Sequence, residues 1–294
     1  YGMAEYKMPQ SVSLSEVEHI KKIGVEFKTN TEIVGDTETP GQRDAANESE
    51  PPAVAGGSTQ TSFKELEKQH DAIFLGVGLG ETNKLNIPGE NLAGVYDALD
   101  FIEKIKTRDW TSVPLGKSVA VIGAGNTAID AVTQAKRLGA AKVMMVYRRT
   151  EKDASAYHYE LELAKKDGVE FVWQAAPIGI LADDGDSHVT SLRCEKTDGS
   201  LELFEIKCYM VIKATGQQKM RGFFETVVGV EVDDKGRVVV NDQMQTSNPT
   251  IFSGGDCANG GKEAVDASQM GKYAAQGIHL SLSGETVKFA GALH

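Results

Sequence analysis

Residues 118–128 are Ser-Val-Ala-Val-Ile-Gly-Ala-Gly-Asn-Thr-Ala, an apolar run followed at once by a glycine pattern. The run predicts a buried strand, and residues 127–138 predict a helix. The glycines fit G-x-G-x-x-A in the strand–turn–helix context that makes the pattern specific. Gly123 permits the tight turn, and Gly125 lets the backbone approach a pyrophosphate. We therefore expect a dinucleotide at the helix N-terminus; the alternative is a glycine turn that binds nothing.

The end of the next strand indicates which dinucleotide is bound. A site for NAD usually has an acidic residue there, which binds the ribose 2′-hydroxyl. This chain instead has Arg148 and Arg149 after the apolar strand at 142–147. A guanidinium matches a 2′-phosphate in charge and geometry, so the sequence favours NADPH over NADH. The alternative is that both arginines only pair with surface acids.

The order of the remaining elements predicts an α/β protein. Strands and helices alternate from residue 117, which is typical of a parallel sheet with helices on both faces. Residues 36–61 are polar and rich in Gly and Pro, and we expect a flexible insertion there. The predicted strands are 25–29, 71–77, 118–122, 142–147, 169–173, 189–196, 201–207, 209–214 and 250–253; the predicted helices are 15–23, 96–106, 127–138, 157–166 and 262–282.

A second glycine-rich turn follows the strand at 250–253. Gly254, Gly255 and Asp256 come directly after it, and a long predicted helix begins a few residues later. A carboxylate on such a turn can accept hydrogen bonds from the hydroxyl groups of a polyol, and the helix N-terminus can face a flavin or a phosphate. The alternative is an ordinary turn aspartate.

Composition excludes several classes of function. The formal net charge is −11, and an acidic surface disfavours a nucleic-acid partner. No apolar run is long enough for a membrane span, and residues 1–10 lack the pattern of a signal peptide, so we expect a cytoplasmic location. The three cysteines form no C-x-x-C pair and the six histidines are scattered, so we expect no metal site or cluster in the chain.

Further segments resemble one protein family. They are Tyr1 to Pro9 (Y-G-M-A-E-Y-K-M-P), Ile87 to Glu90 (I-P-G-E), Gly123 to Asp130, Val146 to Thr150, Ala214 to Gln217 (A-T-G-Q) and Gly254 to Gly261. In this order they resemble the small-subunit family of NADPH-dependent glutamate synthase, which includes the flavin-containing part of dihydropyrimidine dehydrogenases. The resemblance covers nearly the whole chain except residues 36–61.

The resemblance implies an oxidoreductase in which NADPH reduces FAD and electrons leave through iron–sulfur clusters to a larger catalytic subunit or domain. The cofactors would perform the chemistry, so we expect no catalytic side chain. The residues that would bind cofactors are Gly123, Gly125, Asn126, Thr127 and Ala128 for the pyrophosphate of NADPH, Arg148 and Arg149 for its 2′-phosphate, Gly216 in the turn between domains, and Gly255 and Asp256 for FAD.

The chain departs from this family in its first part. The cysteine-rich domain and the FAD glycine pattern that precede the Y-G-I-P loop of the family are not in the sequence given, which does not begin with methionine. We expect a fragment or processed product that binds FAD weakly or not at all, with the clusters in a missing domain or a partner. After the arginines, Asp153 to Ala156 replaces the common Met-Pro-Ala.

The predicted fold is therefore a Rossmann-like NADPH-binding domain at 113–240, inserted in an incomplete FAD-binding domain of the two-dinucleotide-binding flavoprotein type at 1–112 and 241–294. The exposed edge of that incomplete domain favours a partner or a homo-oligomer. Two other functions stay open at this point. One is the electron-input subunit of a dihydropyrimidine dehydrogenase, and the other is a non-catalytic nucleotide-binding or scaffold module without flavin.

Overall fold

The computed structural model describes residues 2–35, 59–183, 185 and 187–286. Its strands are β1 (Thr31–Val34), β2 (Thr59–Ser62), β3 (Ile73–Leu75), β4 (Val95–Asp97), β5 (Ser118–Ile122), β6 (Lys142–Val146), β7 (Glu170–Val172), β8 (Ala175–Ala182), β9 (Val189–Lys196), β10 (Leu203–Lys207), β11 (Met210–Lys213) and β12 (Ile251–Ser253). Its α-helices are α1 (Gln10–Lys22), α2 (Phe63–Gln69), α3 (Ala98–Thr107), α4 (Asn126–Arg137), α5 (His158–Lys166), α6 (Arg221–Thr226), α7 (Asp256–Asn259) and α8 (Ala264–Ser283).

The chain forms two compact units, one of Tyr1–Val25 with Thr82–Gln217 and the other of Glu26–Glu81 with Gln218–His294. The first unit contains a parallel sheet of five strands in the order β4-β11-β5-β6-β7. Val119 and Val121 of β5 point to one face of this sheet and pack with α3, α4 and α5. Because side chains alternate along a strand, the neighbours Ala120 and Ile122 point to the opposite face.

A second sheet covers that opposite face. Strands β8, β9 and β10 form an antiparallel sheet whose apolar side chains, among them Ile180 and Leu192, pack on Ala120 and Ile122. The prediction of helices on both faces is therefore wrong. A strand with apolar side chains on both faces needs a covering layer on each side, but its sequence does not show whether that layer consists of helices or of a second sheet.

The second unit is built on two short parallel pairs, β1 with β2 and β3 with β12. Phe63 at the start of α2, Leu75 of β3, Phe224 of α6 and Ile251 of β12 form its core. A capping box begins α2: the Ser62 hydroxyl accepts a hydrogen bond from the backbone N–H of Glu65, whose carboxylate accepts one from Ser62. None of the described helices of either unit is long and apolar enough to cross a bilayer.

Two predictions for residues 25–61 are changed by the structure. The strand predicted at 25–29 is wrong: these residues form no strand, and Val25 and Phe27 are 47% and 45% exposed. The first strand is β1, a few residues later. Residues 59–61 of the expected insertion belong to β2, whereas 36–58 lie outside the described residues.

The borders of the compact units differ from the domain borders expected near residues 113 and 240. Residues 82–112 belong to the first unit because β4 pairs with β11 and α3 packs on α4. Residues 218–240 belong to the second unit, where α6 is part of the core. The assignment of NADPH and FAD to these parts stays a prediction.

Candidate functional site

The turn after β5 requires glycine at its first position. Gly123 has φ +133°, a conformation that other residues rarely adopt. A Cβ atom at this position would also collide with the carbonyl oxygen of Ala214 at the end of β11. The amide of Gly123 donates to the carbonyl of Val146 at 3.0 Å, which ties the turn to β6. The backbone of β5, β6 and β11 therefore fixes the path of this turn.

The N-terminus of α4 is open to a ligand. Gly125 is its N-cap, and no side chain of the described residues caps the helix. The amide oxygen of Asn126 instead accepts a hydrogen bond from the backbone N–H of Tyr157 at 3.2 Å. The first N–H groups of α4 and the positive end of its dipole are therefore available to an anion.

A cavity of about 580 Å³ lies over this helix terminus. Of the predicted site residues, Gly123, Gly125, Thr127, Arg148 and Gly216 line it. Two others support the site from outside the lining. Asn126 holds the residue before α5, and Ala128 is fully buried among the apolar residues between helices and sheet.

The two arginines occupy different positions. The backbone carbonyl of Arg148 accepts a hydrogen bond from the Thr197 hydroxyl at 2.6 Å. The backbone carbonyl of Arg149 accepts one from the backbone N–H of Gln174 at 3.0 Å. Both side chains are exposed, and neither forms an ion pair with another described residue. Arg148 lines the cavity, whereas Arg149 is outside the lining and attracts Asp153. The sequence did not distinguish them.

Sequence reasoning missed a charged cluster around Lys213, a residue that lines the cavity. The ammonium of Lys213, at the end of β11, is 3.1 Å from Glu90 Oε1 and 3.1 Å from Asp97 Oδ1. Glu90 also accepts hydrogen bonds from the backbone N–H groups of Leu85 and Asn86. A lysine within the apolar run of β11 is the signal that could have indicated this cluster.

Burial and hydrogen bonding shift the pKa values of Glu90 and Lys213 in opposite directions. Burial raises the pKa of Glu90, but hydrogen bonds from Leu85, Lys213 and Asn86 outweigh it and hold that pKa below its ordinary value. Burial lowers the pKa of Lys213, but the two carboxylates outweigh it and raise that pKa. Glu90 and Lys213 are therefore both charged at neutral pH.

A hydrogen-bonded pair of loops forms another part of the cavity wall. The Thr215 hydroxyl donates to the carbonyl of Asn83 at 2.7 Å, and the Asn83 side chain donates to the carbonyl of Thr215 at 3.2 Å. The backbone N–H of Asn83 also donates to the carbonyl of Gly216 at 2.9 Å. Gly216 has φ +83° and lines the cavity.

Gly255 and Asp256 lie in the second unit. Gly255 has φ +74° and precedes the short helix α7. The carboxylate of Asp256 is half-buried, and its Oδ1 accepts a hydrogen bond from the amide of Lys262 at 3.2 Å. The strand–turn–helix with G-x-G-x-x-A occurs once among the residues that the structure describes, at Gly123. The contact of Gly255 and Asp256 with FAD stays a prediction.

The cysteines are placed as structural residues. Cys194, Cys208 and Cys257 are all free and buried. Burial raises the pKa of Cys194 and of Cys208 to about 12, so both are thiols at neutral pH. Within the part of the chain that the structure describes, no group of three or more His, Cys, Asp or Glu residues could hold a metal ion.

The fold and this site define a class of protein. The family model described as "Pyridine nucleotide-disulphide oxidoreductase" matches residues 3–271, and the chain belongs to that family. Membership implies the use of FAD and a nicotinamide dinucleotide. Thioredoxin reductases from T. acidophilum and Lactococcus lactis share the fold: each has TM-score 0.60, with 19% and 23% identity, over 71% and 73% of this chain and 64% and 67% of theirs. The predicted two-dinucleotide-binding α/β fold is confirmed.

Curated relatives narrow the resemblance further. The "Glutamate synthase [NADPH] small chain" of Halomonas elongata and that of Escherichia coli are each 30% identical to this chain over 95% of its length. The "NADP(+)-dependent formate dehydrogenase subunit beta" of Moorella thermoacetica is 26% identical over 94%. The chain spans 59% of the length of each of the first two and 38% of the third. The resemblance to the glutamate synthase small-subunit family is confirmed.

Proposed function

We propose that this chain is the NADPH-binding, electron-input part of a flavin-dependent oxidoreductase of the glutamate synthase small-chain type. The observation that supports this most directly is the cavity over the open N-terminus of α4, which has Arg148 in its wall. The open N-terminus of α4 provides the N–H groups that a pyrophosphate needs. The guanidinium of Arg148 matches a 2′-phosphate in charge and geometry.

The residues divide into two roles in this proposal. Gly123, Gly125 and Thr127 receive the pyrophosphate because they line the cavity at the helix N-terminus. Arg148 binds the 2′-phosphate, and Arg149 adds to the local positive charge. Asn126 and Ala128 act indirectly: the first fixes the start of α5, and the second lets α4 lie close to the sheet.

The flavin part of the proposal depends on the second unit and on groups outside the described residues. In this account Gly255 and Asp256 contact FAD, whereas Gly216 lines the cavity that binds NADPH. When FAD is bound, it accepts electrons from NADPH. A larger subunit or domain with iron–sulfur clusters receives the electrons. The names "small chain" and "subunit beta" of the relatives support a multi-subunit enzyme. The cytoplasmic location stays a prediction.

An anaerobic titration tests this function. The chain is mixed with FAD, and NADPH or NADH is then added while the absorbance of oxidised flavin is followed. We expect NADPH to bleach the flavin at lower concentration than NADH, and Arg148→Ser to remove that difference. Binding of NADPH to the chain without any flavin reduction would instead favour a nucleotide-binding module that carries out no electron transfer.

A further inference from the structure

The sheet order places Arg148 and Lys213 on opposite sides of the glycine turn. Ile122, the last residue of β5, pairs with Val146 of β6 on one side and with Lys213 of β11 on the other. The chain leaves β5 toward β6 and returns at β11, so the turn lies at the point where the strand order reverses. A dinucleotide with its pyrophosphate on Gly123 therefore extends toward β6 at one end and toward β11 at the other.

The end near β11 contains the buried charges. Lys213 pairs in register with Asp97 of β4, and its side chain is 12% exposed against 9% for Glu90. Asp97 Oδ1 is buried and lies 3.1 Å from the ammonium of Lys213. One ammonium and two carboxylates give the cluster a net charge of about −1.

We propose that the cluster of Lys213, Glu90 and Asp97 lies beneath the nicotinamide ring and sets the relative affinity for NADP⁺ and NADPH. This inference rests on the proposed function, which places the 2′-phosphate at Arg148 and so directs the nicotinamide toward β11. The ring carries one positive charge in NADP⁺ and none in NADPH. A partly buried site with net negative charge therefore stabilises NADP⁺ relative to NADPH.

Glu90 and Asp97 differ in what else they hold. Glu90 accepts two backbone hydrogen bonds from Leu85 and Asn86 and so orders a loop of the cavity wall. Asp97 makes no side-chain cap on α3, although it is the N-cap residue. Asp97→Asn therefore removes one negative charge with the least change of structure, and asparagine is itself a good N-cap.

The test measures the dissociation constants of NADP⁺, NADPH and 2′,5′-ADP by titration calorimetry, for the intact chain and for Asp97→Asn. We expect Asp97→Asn to lower the affinity for NADP⁺ relative to NADPH by about fivefold. The fragment 2′,5′-ADP has no nicotinamide, so its affinity should not change. Lys213→Met makes the cluster more negative, so it should raise the affinity for NADP⁺ relative to NADPH. Asp167→Asn, which alters a surface pair with Arg137, is the matched control.

The outcomes separate this inference from the proposed function. If the unaltered chain binds neither NADPH nor 2′,5′-ADP, the proposed function fails, and this inference fails with it. If it binds both but Asp97→Asn leaves the ratio unchanged, only this inference is overturned. If Asp97→Asn weakens all three ligands equally, the effect is structural, and the inference is again overturned.

Discussion

Gly123 and Ala214 approach each other so closely across β5 and β11 that a side chain at position 123 would collide with the Ala214 carbonyl. Gly123→Ala adds this collision to an unfavourable φ, whereas Gly139→Ala adds the unfavourable φ alone, because nothing lies within 4 Å of a Cβ there. We expect Gly139→Ala to lower the free energy of unfolding by about 1 kcal/mol and Gly123→Ala by about 3 kcal/mol. Urea unfolding measures both, and equal losses would contradict the close approach.

Glu90 should make the stability of the fold depend on acid. Its pKa is lower in the folded chain than the ordinary 4.5, so its contribution is present above pH 4.5 and is lost as pH falls through the folded pKa. Glu90→Gln should therefore cost about 3 kcal/mol at pH 7, because Lys213 loses a buried partner. The difference from the unaltered chain should shrink below pH 4.5 in urea unfolding. A difference that is constant with pH would contradict this assignment.

Lys7 forms ion pairs with two buried carboxylates, and these pairs should contribute more to the free energy of unfolding than similar pairs on the surface. Its ammonium lies 2.8 Å from Asp130 and 2.6 Å from Glu160, whose side chains are 7% and 5% exposed. Lys7→Met leaves two buried carboxylates without this partner, so we expect a loss of about 3 kcal/mol in the free energy of unfolding.

Lys165 is the control for that prediction. It lies 2.6 Å from Glu151 and 2.9 Å from Glu162, both well exposed. Lys165→Met should cost less than about 1 kcal/mol in the same urea titration. A similar loss for both variants would show that burial does not decide the strength of these pairs.

The cysteines should be unreactive in the folded chain. Cys194, Cys208 and Cys257 are 0%, 0% and 2% exposed, and the raised pKa of the first two keeps them protonated. We expect a maleimide to label none of the three at neutral pH in buffer and all three in denaturing urea, as counted by mass spectrometry. Rapid labelling of the folded chain would contradict this placement and reopen a thiol-based role.

The elements around Gly123 were predictable because local signals agree there. The apolar run fixes β5 at both ends, and glycines mark the beginning and end of α4. Strand β8 was missed because Pro177 and Gly179 interrupt its apolar pattern. In the structure they coincide with a shift in the pairing register, where the two residues are tolerated.

The composition of the candidate site was only partly predictable. Gly123, Gly125, Thr127, Arg148 and Gly216 belong to recognisable patterns, and the structure brings them to one cavity. The pairing of Lys213 with Glu90 joins residues 123 positions apart, and only the strand order of the sheet brings them together. The difference between Arg148 and Arg149 likewise depends on the fold, which places Arg148 in the cavity lining and Arg149 outside it. The roles of these residues in binding stay predictions.

The most direct test of the account compares NADPH and NADH as ligands of the unaltered chain, Arg148→Ser, Arg149→Ser and the exposed control Arg108→Ser, by equilibrium titration of intrinsic fluorescence. The account predicts that the unaltered chain binds NADPH at least about tenfold more tightly, a difference of about 1.4 kcal/mol. Arg148→Ser should remove most of this preference without changing the affinity for NADH, Arg149→Ser should reduce it less, and Arg108→Ser should leave it intact. Equal affinity for the two nucleotides in the unaltered chain, or a preference that survives Arg148→Ser, would contradict the assignment of the 2′-phosphate to Arg148.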